Sequence, residues 1–318
     1  MKRPTIAIHG GASHEGPPAV NTPVVTPLIQ SVNFHSAIGS GDELLYTRHG
    51  NTPNVTLVER RLALLEGAES AIVLSSGMAA TSCAMLALLR PGDHLLASTW
   101  IYGGTRTLLT RDLTALGIHV TLVDPTAPRS WQASIRDNTR AIFVESPVNP
   151  TCRVLNLSFL ATMAKNKGVA LVVDSTMASP INFRPLEHGA DVVIHSATKY
   201  LNGHHDVLSG VVLGGAAFVD EVRAKMLVWG STPDPFAVWL LERGLKTLDV
   251  RVKRHNENAL KLAQWCEGRH EFAKVHYPGL PSHPDHEIAE QWLDGYGGMM
   301  AVELAGGGTA AARFLSRL

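Results

Sequence analysis

The chain has 318 residues, 45% of them hydrophobic, with 28 Lys and Arg against 28 Asp and Glu. That length suits about two domains with a substantial core, and a net charge of zero removes the electrostatic reason to expect nucleic acid or an anionic membrane surface as partner. No apolar run is long enough to span a bilayer, the apolar stretch ending at Ile8 is too short for a signal peptide, and Cys83, Cys152 and Cys266 are scattered without metal spacing, as in reduced core residues of a cytoplasmic protein.

Residues 1 to about 50 are rich in Pro, Gly, Asn and Thr and show no sustained period, which predicts an extended arm. From Pro53 to Glu66 the positions Val55, Leu57, Val58, Leu62 and Leu65 fall at helical spacing, and Gly67 supplies a stop. Short apolar strands are then expected at Ala71–Leu74, His94–Ser98, His119–Val123, Arg140–Glu145, Val169–Asp174, Asp191–His195 and Gly210–Leu213, mostly separated by helix-like segments. That rhythm predicts an α/β fold with a mostly parallel seven-stranded sheet covered by helices on both faces. From Phe236 a helical pattern through Leu240, Leu241, Leu245, Leu248 and Val250 reads as one rod leading to a second part. This part has apolar runs at Phe272–Val275 and Met299–Leu304 and a final amphipathic stretch. The domains read as an arm over 1–50, a larger domain over 51–248 and a smaller α+β domain over 249–318.

Several strands end in polar residues, and in an open α/β sheet their carboxyl ends form the ligand edge. In Asp191-Val-Val-Ile-His-Ser-Ala-Thr-Lys-Tyr200 the strand delivers Ser196, Thr198 and Lys199 there. A partly desolvated lysine amine attacks carbonyls to give a Schiff base, although the stretch taken alone favours a surface lysine just past a strand. Asp174 closes Val169-Ala-Leu-Val-Val-Asp, where a lone acid must be paired or must bind a cation such as a protonated pyridine nitrogen; an N-cap is the alternative. Ser75-Ser76-Gly77-Met78 opens a helix whose free N–H groups suit a phosphate, with Ser196 and Thr198 as further donors. Tyr102 heads Tyr102-Gly-Gly-Thr105, where the ring can stack on a flat cofactor or simply fill the core. Tyr46-Thr-Arg48 suits a phosphate or a surface ion pair. In Glu145-Ser-Pro-Val-Asn149-Pro the Asn149 amide can donate to a phenolic oxygen, or the prolines can mark a structural turn. Together these supply what pyridoxal 5′-phosphate needs.

Ser196-Ala-Thr-Lys199-Tyr-Leu-Asn-Gly-His with Asp206 following, Val-Val-Asp174-Ser-Thr, Glu145-Ser-Pro-Val-Asn-Pro, Tyr102-Gly-Gly-Thr, Gly244-Leu-Lys-Thr-Leu and Tyr277-Pro-Gly-Leu-Pro-Ser-His-Pro resemble, in order, the Cys/Met metabolism family of pyridoxal-phosphate enzymes. That family includes cystathionine γ-synthase, the cystathionine lyases, methionine γ-lyase and the acylhomoserine sulfhydrylases. The resemblance implies an aspartate-aminotransferase-like, fold type I architecture and carbon–sulfur chemistry at the γ carbon of cystathionine or an O-acylhomoserine. It makes Lys199 the Schiff-base lysine and Asp174 the ring-nitrogen partner. Tyr102 becomes the stacking ring and acid–base group, Asn149 the ring-oxygen donor, and Ser76, Gly77, Met78, Ser196 and Thr198 the phosphate site. Tyr46 and Arg48 would serve a neighbouring subunit of a homotetramer built from two dimers.

Three departures stand out. Gly50-Asn-Thr-Pro53 is one residue longer than the family pattern, Arg106-Thr107 replaces the usual Asn-Arg, and the Ser-Leu-Gly segment and later carboxylate-gripping arginine are not in these 318 residues. The last departure predicts an incomplete C-terminal domain, weak substrate capture and exposed apolar surface from Met299 to Leu304; undiminished turnover would instead point to a residue already present as carboxylate ligand, Arg106 first. Gly104 stands where methionine γ-lyases have a cysteine. A β-lyase or acylhomoserine sulfhydrylase, a non-catalytic partner subunit, and a metal protein using His204, His205, His276, His283 and His286 are the rival readings.

Overall fold

The computed structural model describes residues 1–12, 20–37, 39 and 43–317; parts of the expected arm, and Leu318, lie outside the described residues. Seven strands, β1 Ser70–Leu74, β2 His94–Ser98, β3 His119–Val123, β4 Thr139–Glu145, β5 Ala170–Asp174, β6 Val192–His195 and β7 Gly210–Gly214, form one sheet in the order β1-β7-β6-β5-β4-β2-β3. The pairs β6–β5, β5–β4, β4–β2 and β2–β3 are parallel, and β7 lies antiparallel between β1 and β6. The first six strands therefore all end at one edge, and β7 begins there.

The middles of the strands are mostly apolar because most of the strands are covered on both faces. Ile72, Phe143, Val172, Ile194 and Val212 pack with Met85, Val222 and Met226 of helices Gly77–Leu88 and Ala216–Trp229. On the other side Val73, Val193 and Val211 meet Val58, Leu62 and Leu241 of helices Pro53–Glu66 and Pro235–Leu245. Each such side chain contributes about 1.5–3 kcal/mol by burial.

Two local features differ from what the sequence leads one to expect, and a third, the packing of the arm, agrees with it. Arg3–His9 is a helix, where no sustained period is visible in the sequence. Only Ala7 is buried in it, and it is held by tertiary contacts, with Arg3 Nη1 donating to the Ile181 carbonyl at 2.7 Å and to Asp294 at 2.5 Å. The expected rod is two helices, Pro235–Leu245 and Leu248–Glu267. At the joint the Gly244 carbonyl accepts from the Thr247 amide at 3.3 Å, a tighter turn than the helix, and also from the Thr247 hydroxyl at 3.2 Å and Arg251 at 2.9 Å. Arm residues are laid on the body, with Trp239 Nε1 donating to the Thr26 carbonyl and Asn54 bonding Pro27 and Ile29.

Past the second of these helices, β8 Phe272–His276 and β9 Ala301–Leu304 form a two-stranded antiparallel sheet. Met299 is exposed and none of residues 299–304 is buried. No helix among the described residues is long and apolar enough to cross a membrane.

Candidate active site

A cavity of about 280 Å³ opens at the carboxyl edge of the sheet, lined among others by Ser76, Gly77, Met78, Tyr102, Asn149, Asp174, Ser196, Thr198 and Lys199. These residues come from the ends of β1, β2, β4, β5 and β6, so one sheet edge gathers side chains up to 123 positions apart in sequence. Tyr46 and Arg48 are not among the lining residues. They sit on the turn Thr47–His49, where the Arg48 guanidinium lies 5.5 Å from the Tyr46 ring centre and donates to the Leu227 carbonyl at 3.1 Å. The longer connection before Pro53 is accommodated by Gly50 at φ +64° and by Asn51, whose side-chain oxygen accepts from the Tyr46 amide at 3.0 Å. Arg106 is exposed on the helix Gly103–Thr107 and does not line the cavity.

At the phosphate-like end, Ser76 caps the helix Gly77–Leu88 by accepting from the Ala79 amide at 3.0 Å, and the Ala80 amide takes the Ser76 carbonyl. The amides of Gly77 and Met78 are left without helical partners, as at any helix start. Two glycines make the crowding possible. A Cβ at Gly77 would stand 2.8 Å from the Ser196 Cβ, and one at Gly210 would stand 2.1 Å from the Ser76 carbonyl oxygen. Among the described residues the Ser196 hydroxyl has no hydrogen bond, whereas the Thr198 hydroxyl donates to the Ser209 carbonyl and accepts from the Ser209 amide, both at 3.1 Å. The Thr198 proton expected for a phosphate is thus already engaged within the loop.

Lys199 extends from the turn after β6. The sequence reading expects it partly desolvated, but the side chain is exposed at the rim because the turn carries it to the lip. Asp174 Oδ1 accepts from the Thr176 amide at 3.0 Å and hydroxyl at 2.6 Å, and Oδ2 has no partner among the described residues. Burial raises the Asp174 pKa, the Thr176 bonds oppose the rise, and His195 lowers it further.

Glu145 is the residue whose role the motif does not announce. It is 4% exposed, and its two oxygens accept from the Tyr102 amide at 2.7 Å and the Asn149 amide at 2.9 Å. One carboxylate thereby brackets both loops that carry ring-facing candidates. Burial, and then the neighbouring Asp174 charge, push its pKa up to about 8. Between the ordinary value of 4.5 and about 8 the folded state holds a proton that the unfolded chain releases, so stability falls as pH rises through that window. Replacing Glu145 by Gln removes this group's share of the slope, while leaving one of the two amides short of an acceptor. The apoprotein's urea midpoint at pH 5.5 and 8.5 checks this, and an unchanged slope contradicts it.

The Asn149 turn is also fixed from above. Arg153 forks onto Asp285 at 2.5 and 2.9 Å and lies 4.3 Å from the Trp100 ring centre, and the Val154 amide donates to Asp285 at 2.9 Å. Gly104 lies under Tyr102: a Cβ there would stand 2.6 Å from the ring, so position 104 has no room for a cysteine while the ring stands where it does.

Of the five histidines put forward for a metal, four have other engagements, His204 among them with the Asn202 carbonyl at 2.7 Å, and His205 is exposed. His276 meets Glu303, His286 meets the Pro278 carbonyl, and His283 meets the Thr151 carbonyl. Among the described residues no group of three or more His, Cys, Asp or Glu side chains could hold a metal ion.

Free helix-start amides, a free Ser196 hydroxyl, an unpartnered carboxylate oxygen and a lysine around one cavity fit a phosphate-anchored aromatic aldehyde with a basic ring nitrogen. The fold and site thus define the class of pyridoxal-phosphate enzymes built on this doubly covered sheet. The chain belongs to the family described as Cys/Met metabolism PLP-dependent enzyme, whose model matches residues 4–318.

It is 39% identical over 324 residues to L-methionine gamma-lyase of Porphyromonas gingivalis, covering 99% of this chain and 80% of that one. It is 37% identical over 315 residues to a probable cystathionine gamma-synthase of Herpetosiphon aurantiacus, covering 98% and 97%. The crystal structure of metB from Corynebacterium glutamicum superposes with a TM-score of 0.93 at 38% identity, covering 99% of this chain and 81% of that one.

Proposed function

We propose that the protein makes or breaks a carbon–sulfur bond at the γ carbon of an amino acid, breaking the one in cystathionine or forming one by replacing the acyloxy group of an O-acylhomoserine. The observation that carries this reading is the gathering of Lys199, the free Oδ2 of Asp174, Tyr102 and the Ser76–Met78 helix start around one cavity. The relatives named for γ-chemistry support the γ position. Pyridoxal phosphate, when bound, supplies the electron sink for charge developed at the substrate carbons.

The chain's own residues do the rest. Lys199 Nζ takes the proton from the substrate Cα and moves it among the carbons. Asp174 Oδ2 keeps the ring nitrogen protonated. Tyr102 packs on the ring and exchanges a proton with the leaving sulfur or oxygen through its phenol, and Asn149 donates to the ring oxygen. The amides of Gly77 and Met78 with the hydroxyls of Ser76 and Ser196 hold the phosphate, and Thr198 shapes the loop beneath it. The unpaired cysteines Cys83, Cys152 and Cys266 accord with a cytoplasmic location.

Product analysis tests the reaction. Cystathionine and water should give cysteine, 2-oxobutanoate and ammonia, or O-acylhomoserine with cysteine should give cystathionine and the released carboxylate. Pyruvate and homocysteine from cystathionine would place the chemistry at the β carbon instead.

The site is completed across a subunit boundary in this proposal. Tyr46 and the exposed Arg48 lie outside their own cavity, and Val24, Val25, Leu44 and Trp229 present apolar surface. Mixing inactive Arg48→Ala chains with inactive Lys199→Ala chains should restore part of the activity, because some hybrid dimers hold one intact site. No recovery after verified subunit exchange would place both residues in one chain's site.

A further inference from the structure

The turn Tyr200-Leu-Asn-Gly203 that follows Lys199 and the motif Gly244-Leu-Lys-Thr-Leu248 have no part in the chemistry above, yet they meet at one side chain. Arg251, on the helix Leu248–Glu267, donates from Nη1 to the Tyr200 carbonyl at 2.9 Å and from Nη2 to the Leu201 carbonyl at 3.4 Å and the Gly244 carbonyl at 2.9 Å. Its Nε donates to the Thr247 hydroxyl at 3.0 Å.

The guanidinium has no carboxylate partner among the described residues, so its fork is spent on neutral oxygens. Burial alone lowers its pKa. A partly buried arginine with no acid is costly unless its donors are filled, and here they are filled by the carbonyls just after Lys199.

The backbone is shaped to receive it. Gly203 sits at φ +74°, and a Cβ there would stand 1.8 Å from Arg251 Nη1. A Cβ at Gly244 would stand 2.4 Å from the Asn202 carbonyl oxygen. The two glycines let the Lys199 turn and the helix joint close on one another, and Arg251 fills the space between them. Segments some 40 residues apart in sequence are thereby locked together.

We propose that Arg251 is a positioning residue that fixes the turn carrying Lys199, so that the amine stands ready for the cofactor carbonyl. The inference rests on the reading of Lys199 as the cofactor lysine. A planar fork can serve several carbonyls at fixed angles, whereas a lysine ammonium offers one compact charge.

Hydrogen exchange of the apoprotein tests the turn without any cofactor. In Arg251→Ala and Arg251→Lys the amides of Asn202 and Gly203, which bond the Ala197 and Lys199 carbonyls, should exchange roughly ten- to a hundredfold faster, the scale of lost charge-assisted hydrogen bonds. The amides of β4 and β5 should stay at wild-type rates. On adding pyridoxal phosphate the visible band should form more slowly by a similar factor in Arg251→Ala, and by less in Arg251→Lys.

Wild-type exchange in the turn, or a rise spread evenly over the sheet, would overturn the proposal, and Arg251→Lys decides the matter if Arg251→Ala fails to fold. Lys199→Ala distinguishes the two assignments. If that variant keeps the visible band, the reading of Lys199 fails; if it loses the band while the Arg251 variants exchange and load as wild type, only the role of Arg251 fails.

Discussion

Lys199→Ala should reduce turnover by about 10³-fold or more, since one amine supplies both the covalent link and the proton transfer, each worth orders of magnitude. The same variant should fold normally. Lys199 is exposed and has no ion pair among the described residues, and substitutions of that kind shift stability by about 0.5 kcal/mol or less. Steady-state rates beside a thermal melt check both halves. Wild-type turnover with an unaltered melt would remove Lys199 from the mechanism.

Asp174→Asn should lower turnover by about 10²–10⁴-fold, the range for losing a positioned acid–base group, while retaining cofactor through the phosphate site and Lys199. The amide can still accept from Thr176, as Oδ1 does now. It brings no negative charge to the ring nitrogen. Stability should move the other way. Burial raises the Asp174 pKa, so the folded state is penalised once pH exceeds the ordinary aspartate range. The Asp174→Asn chain, uncharged at this position and without cofactor, should therefore be at least as stable as wild type at pH 8. A loss of activity that tracked a loss of folded protein would mark Asp174 as structural instead.

The sheet was legible in the sequence because its strands, all but the edge strand β3 largely buried, are short apolar runs that stand out individually; the expected spans agree with the observed strands to within a residue at each end. The cavity's lining was legible for a related reason: each polar residue that closes a buried strand has to lie at the sheet edge. What the sequence did not disclose depends on partners distant in the chain. The helix Arg3–His9 is held by contacts with Ile181 and Asp294. At the break after Leu245 the Arg251 and Thr247 side chains reach back to one carbonyl, Gly244. Glu145 reads as a motif letter until its oxygens are seen to hold the amides of Tyr102 and Asn149. Similarly, the Thr198 hydroxyl is visible as a donor in the sequence, and only the fold shows that Ser209 occupies it.

The most direct test of Lys199 as the cofactor lysine is to load the purified protein with pyridoxal phosphate, reduce it with borohydride, digest it and locate the modified lysine by mass spectrometry. A single stable adduct is expected on the peptide containing Lys199, absent from Lys199→Ala. An adduct on another lysine, or none at all from protein that has taken up the cofactor, would contradict that assignment and the mechanism built on it.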